Sequence, residues 1–185
     1  MLRKLSLIAL LILFSTGFIF GQAEKPKEAD QILKTALNEA KVSHKNVFLI
    51  FHATWCPWCK RLDKVLETPE VKKIMDENYV ITHLDVMERK EKVAEFENPG
   101  GKEIMKKLGG ENAGLPFYAF LNSKGEKIAD SNVMPDNSNL GFPGSNEELE
   151  AFKSILKKSA KNISDADYSV IVETIKKNLP PPKKS

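Results

Sequence analysis

Cysteine is nearly absent from this sequence: 185 residues contain two, Cys56 and Cys59. A stabilising disulfide normally joins distant segments, and a bridge between these two closes too small a loop to contribute much. No second Cys-x-x-Cys exists, and only His44, His52 and His83 remain as other ligands. That argues against a four-ligand zinc site on the pair. Neither sign of charge dominates, with 28 Lys and Arg against 25 Asp and Glu. The lysines sit mostly at helical spacing among glutamates, the pattern of a solvated face. There is no basic block, no Gly-rich phosphate loop and no internal repeat, so nothing supports binding of nucleic acid or nucleotides.

What is present is concentrated in Trp55-Cys56-Pro57-Trp58-Cys59-Lys60. Positions i and i+3 share one face of a helix, so the two sulfurs can meet across a turn. At a helix start the unpaired N–H groups and the dipole favour a thiolate, the form that attacks disulfides. The flanks fit. Val47-Phe48-Leu49-Ile50-Phe51 is a nearly continuous apolar run, as in a strand buried on both faces. Ala53-Thr54 reads as a turn, and Pro57 suits a first helical turn. Leu62, Val65 and Leu66 then form one stripe of a helix. Strand, turn, Cys-x-x-Cys and amphipathic helix together make a reactive pair that opens and closes.

Three segments resemble the thioredoxin superfamily, and most closely the secreted bacterial thioredoxin-like proteins with a Trp-Cys-x-Trp-Cys-Lys site. They are Phe48 to Leu62, Tyr79 to Val86, and Gly114-Leu115-Pro116-Phe117 through Glu126. Together they span roughly residues 30–160. The resemblance implies an α/β thioredoxin fold, a central mixed β-sheet flanked by helices, with an extra C-terminal helix. It implies thiol–disulfide exchange with no cofactor beyond a redox-active Cys56–Cys59 disulfide. Cys56, nearer the helix start and expected to be exposed, attacks; Cys59, expected to be buried, resolves. Pro116 matches the family's cis-proline, with the Leu115 backbone pairing with an extended substrate. Trp55, Pro57 and Trp58 join Leu115 and Pro116 as the expected substrate-binding residues.

Two positions depart from the family. Many thioredoxins carry a buried acid six residues before the first cysteine; here that position is Ile50. His52 stands where an aromatic is common. It reads either as a packed polar aromatic or as a titratable neighbour that tunes Cys56 or serves Cys59.

Residues 1–23 combine Arg3 and Lys4, an apolar stretch and Gly21-Gln22-Ala23, the pattern of a cleavable signal peptide. An uncleaved membrane anchor is the alternative. No cysteine near the cleavage site permits a lipoprotein anchor. Residues 24–163 form the expected thioredoxin-like domain, and 164–185 a C-terminal helix with a Pro/Lys tail. Ser145 and Ser164 start helices, Ser123 to Glu126 marks a hairpin, and Asp130 to Gly144 reads as irregular. Export to the periplasm or beyond gives as partners the thiols and disulfides of exported proteins and an upstream electron donor or acceptor. No stable membrane partner and no metal are expected. Reductase or isomerase action is the favoured direction. The reading from another class is a non-catalytic thioredoxin-fold binding module, such as a copper(I) chaperone or a holdase; methionine is scarce near the motif, which counts against copper.

Overall fold

A computed structural model describes residues 25–181 of the chain. The segment read as a signal peptide and the last residues of the Pro/Lys tail lie outside it. The elements run α1 (Ala29–Ser43), β1 (Asn46–His52), α2 (Pro57–Leu66), α3 (Pro69–Asn78), β2 (Tyr79–Asp85), α4 (Val93–Phe96), α5 (Gly101–Lys107), β3 (Phe117–Leu121) and β4 (Lys127–Asp130). A small hairpin follows, β5 (Asn132–Met134) and β6 (Ser138–Asn139), then α6 (Asn146–Ser159) and α7 (Asp165–Lys177). The main sheet has the order β2-β1-β3-β4, with β2 parallel to β1 and the other pairs antiparallel. This is the mixed, helix-flanked sheet of a thioredoxin fold, with a helix added at the C-terminal end.

The apolar run of β1 is buried from Val47 to Phe51 because both faces of the sheet are covered. Val47, Leu49 and Phe51 pack with Ala36 and Ala40 of α1 and with Ile104 and Met105 of α5. Phe48 and Ile50 point the other way, toward Leu62, Val65 and Leu66 of α2 and Phe152 of α6. Phe48 stacks on Phe120 at 4.4 Å between ring centroids and meets Tyr118 edge-on at 5.5 Å. Pro57, expected in a first helical turn, and Pro69 both occupy first turns, where a missing N–H costs no hydrogen bond.

Helices α6 and α7 each begin with a capping box. Ser145 and Glu148 close the first, and Ser164 and Asp167 the second. Helix α7 is part of the main core: Tyr168, Ile171 and Ile175 are buried in the same cluster as α2, α3 and α6. Buried Asn78 at the end of α3 fixes the α6–α7 turn, accepting from the backbone N–H groups of Lys161 and Asn162 at 3.1 and 2.8 Å. Arg61 of α2 donates to the carbonyl of Asn178 at 2.8 Å. The extra helix thus braces the helix that carries the cysteines.

The expectation of irregular structure from Asp130 to Gly144 is corrected in part. The segment folds into the β5–β6 hairpin, closed by a 3-10 turn at Pro135–Asn137. Asp136 and Asn137 adopt φ of 63° and 57° there. Short polar side chains tolerate that left-handed conformation, so a stretch without periodicity still forms a tight turn.

Because Ile175 is fully buried, Ile175→Ala is expected to cost about 2–5 kcal/mol of stability. Urea unfolding checks this. A midpoint equal to wild type would detach α7 from the core.

Candidate active site

Cys56 is the N-cap of α2, and its sulfur accepts the Cys59 N–H at 3.1 Å. The pair forms a disulfide with Cα atoms 5.4 Å apart. One helical turn brings the sulfurs together, as the spacing requires. The Leu115–Pro116 peptide bond is cis, and Leu115 packs on the small apolar cradle of Ala53, Cys56 and Cys59. Two segments distant in sequence therefore meet at the sulfurs.

One expectation fails. Cys56 is not exposed: both cysteines have 1% of their surface accessible. The sulfur of Cys56 turns inward to cap its own helix, and Leu115 closes over the pair. Exposure does not distinguish the two thiols; the helix-start position does.

Two tryptophans flank this buried centre at the surface. Trp55 and Trp58 are 41% and 43% exposed. Trp55 donates its indole N–H to the Met87 carbonyl at 2.9 Å. Trp58 lies nearly parallel to Phe142, 6.0 Å between centroids, and the Arg61 guanidinium lies over the Trp58 ring at 5.7 Å. A cleft of about 1070 Å³ runs from Trp58 and Leu115 past Asn139 and Phe142 to Leu179.

Several positioning residues carry no signal in the sequence. Glu88 is buried, and its carboxylate accepts from the backbone N–H and the hydroxyl of Thr54, fixing the turn before Cys56. Asn139 of the small hairpin donates to the carbonyls of Gly114 and Pro116, at 2.8 and 3.0 Å. It thereby ties down both sides of the cis-proline. Isolated acids and asparagines in loops look alike in sequence, and only the fold shows which ones bridge two backbones.

His52 points to the α2 side of the sheet, as its parity with Ile50 requires. There it meets carboxylates. Its Nε2 lies 3.2 Å from Asp85 Oδ1, and its Nδ1 lies 3.9 Å from Asp63 Oδ2. Burial disfavours a charged imidazole, but the two carboxylates outweigh it and raise the His52 pKa to about 9. Burial likewise pushes Asp63 up, yet His52 and His83 hold it well below the usual carboxylate range. The charge of His52 is met by two aspartates.

A family model described as thioredoxin-like matches residues 28–123. The chain belongs to the thioredoxin-like family. It is 30% identical over 115 residues to the thiol:disulfide interchange protein DsbD of Photorhabdus laumondii, covering 62% of this chain and 17% of that protein. The corresponding protein of Vibrio cholerae is 31% identical over 103 residues, covering 55% and 15%. The chain thus spans less than a fifth of these relatives. Among solved structures, a disulphide isomerase from Xylella fastidiosa matches at TM-score 0.48 and 22% identity, over 78% of this chain and 89% of that one. The oxidised C-terminal domain of Neisseria meningitidis DsbD matches at 0.45 and 24%, over 70% and 97%.

Asn139→Ala is expected to loosen the cis-proline loop, since it removes two hydrogen bonds of about 0.5–1.5 kcal/mol each. Hydrogen–deuterium exchange should speed up about tenfold in a peptide spanning 110–118 and stay unchanged in β1. Equal exchange in both proteins would show that the hairpin does not hold the loop.

Proposed function

We propose that this thioredoxin-like protein is a thiol–disulfide oxidoreductase that exchanges disulfides in exported proteins, working as a reductase or isomerase. The observation that carries the reading is the Cys56–Cys59 disulfide at the N-terminus of α2, under the Leu115–Pro116 loop. The relatives' naming for thiol:disulfide interchange supports it. Export rests on the composition of residues 1–23. Among the described residues no helix is long and apolar enough to cross a membrane.

In the reduced protein the Cys59 N–H and the helix dipole favour a thiolate at Cys56. That thiolate attacks one sulfur of a substrate disulfide. A Cys56–substrate S–S bond forms, the substrate bond breaks, and its other sulfur leaves as a thiolate. Cys59 then attacks the Cys56 sulfur, closing the internal disulfide and releasing the second substrate thiol. The substrate gains an electron pair and the Cys56–Cys59 pair loses one, so an upstream dithiol donor must restore it. With Ile50 in place of an acid, the departing substrate thiolate is the base at hand for the Cys59 proton. Leu115 must move aside for the attack. Trp55, Pro57, Trp58 and the Leu115–Pro116 backbone then form the surface that meets an extended chain.

Reduction of insulin by dithiothreitol, catalysed by the wild type, should be abolished in Cys56→Ser. Cys59→Ser should instead accumulate mixed disulfides with exported proteins, seen as higher-mass bands that vanish on reduction. Bands in Cys56→Ser but not in Cys59→Ser would reverse the two roles.

The direction is read from the potential of the pair, measured by glutathione equilibration of purified protein. A reductase lies near about −270 mV and a strong oxidase near about −120 mV. We expect the value to fall nearer the first; a value near the second would overturn the reductive assignment.

A further inference from the structure

A second cluster lies beside α2, outside the thiol chemistry. His52 at the end of β1 and His83 and Asp85 of β2 share one face of the sheet, because His52 pairs with Asp85 in the parallel register. Asp63, one turn beyond Cys59, comes down from α2 between the two imidazoles. Its carboxylate lies 3.0 Å from His83 Nε2 and 3.9 Å from His52 Nδ1. The ring centroids of the two histidines are 4.8 Å apart. Donor atoms of His52, Asp63 and His83 all lie within 4.8 Å of one another.

We propose that His52, Asp63 and His83 bind a borderline divalent transition-metal ion such as Zn2+. Two donors on one Zn2+ at about 2.0–2.1 Å sit roughly 3.3 Å apart in a tetrahedral site. Asp63 offers a different oxygen to each ring: Oδ1 lies 3.0 Å from His83 Nε2, in a hydrogen bond that the ion would replace, and Oδ2 lies 3.9 Å from His52 Nδ1, so the two separations fall on either side of that value. The 3.9 Å gap between His52 Nδ1 and Asp63 is too long for a hydrogen bond; an ion between them bridges it.

The outer contact of His52 supports the assignment. A metal-binding histidine commonly donates its other ring N–H to a carboxylate, which fixes the tautomer and orients the ring. Asp85 stands 3.2 Å from His52 Nε2, which leaves Nδ1 for the ion. Binding displaces any proton from Nδ1, and the carboxylates that attract a proton there attract a dication as well.

The side chains of the three ligands are 22–34% exposed. They open onto a cleft of about 770 Å³, so an ion can enter and the fourth position falls to water or an outside ligand. Imidazole and carboxylate donors suit Zn2+, Ni2+ or Cu2+. The site joins α2 to the edge of the sheet and uses neither cysteine.

The test uses the oxidised protein, whose thiols are closed and cannot bind metal. Titration with Zn2+ by isothermal calorimetry should show one saturable site, and Zn2+ should raise the melting temperature by mass action. His83→Phe and Asp63→Asn should each weaken binding at least tenfold and remove the thermal shift, with circular dichroism confirming the fold. If His83→Phe does not fold, His83→Gln replaces it. Asp85→Asn should weaken binding about 10–100-fold, as loss of an orienting partner does. No saturable binding to the oxidised wild type, or binding within twofold of wild type in either folded ligand variant, would overturn the site.

Discussion

Burial of β1 on both faces is the constraint on which the structure depends. A strand that is apolar on both sides must be covered twice, and it must lie inside the sheet rather than at its edge. Helices α1 and α5 cover one face, and α2, α3, α6 and α7 cover the other. The register then does the rest. His52 closes β1 opposite Asp85, and Phe51 pairs with Phe117, the residue after Pro116. The chain leaves β1 toward Cys56 at the same end of the sheet where β3 begins. Meeting of the cis-proline loop and the cysteines is therefore a consequence of strand pairing.

The loops at that end are fixed by single polar side chains, each bridging two stretches of backbone. Glu88 holds the turn before Cys56, and Asn139 holds both flanks of Pro116. Asn98 accepts from the Asp85 N–H and donates to the Lys27 carbonyl, joining the end of β2 to the segment before α1. Such bonds gain little individually, but together they remove freedom from the backbone around the cysteines. Among the described residues no buried side-chain polar atom lacks a partner.

What the sequence discloses is local. The apolar run of β1, the stripe of α2, the first-turn prolines and the serine caps of α6 and α7 each need only a few neighbouring residues to be recognised. The Cys-x-x-Cys pair belongs to the same class. The burial of Cys56 does not, because Leu115 from a remote loop supplies the cover. The β5–β6 hairpin is hidden for another reason. Its strands are too short for alternation to show, and its turn depends on left-handed Asp136 and Asn137 rather than on glycine. The polar cluster is invisible until the parallel register sets His52 against Asp85 and the packing of α2 brings Asp63 to both His52 and His83.

Helix α2 serves two environments that its own geometry keeps apart. Its first turn lies under Leu115 in an apolar cradle, where a sulfur is shielded from water. One turn further, Asp63 sits at the margin of the buried stripe of Leu62, Val65 and Leu66 and reaches the sheet edge. The arrangement is anchored by the Thr54–Glu88 contact before the helix and by mid-helix Arg61, which donates to Asn178 at the end of α7. The proposed opening and closing of the disulfide therefore involves the first turn of α2 and the loop that packs on it. In the proposed exchange the residue to be displaced is Leu115, which packs on the cradle from a loop held by Asn139 rather than by the sheet.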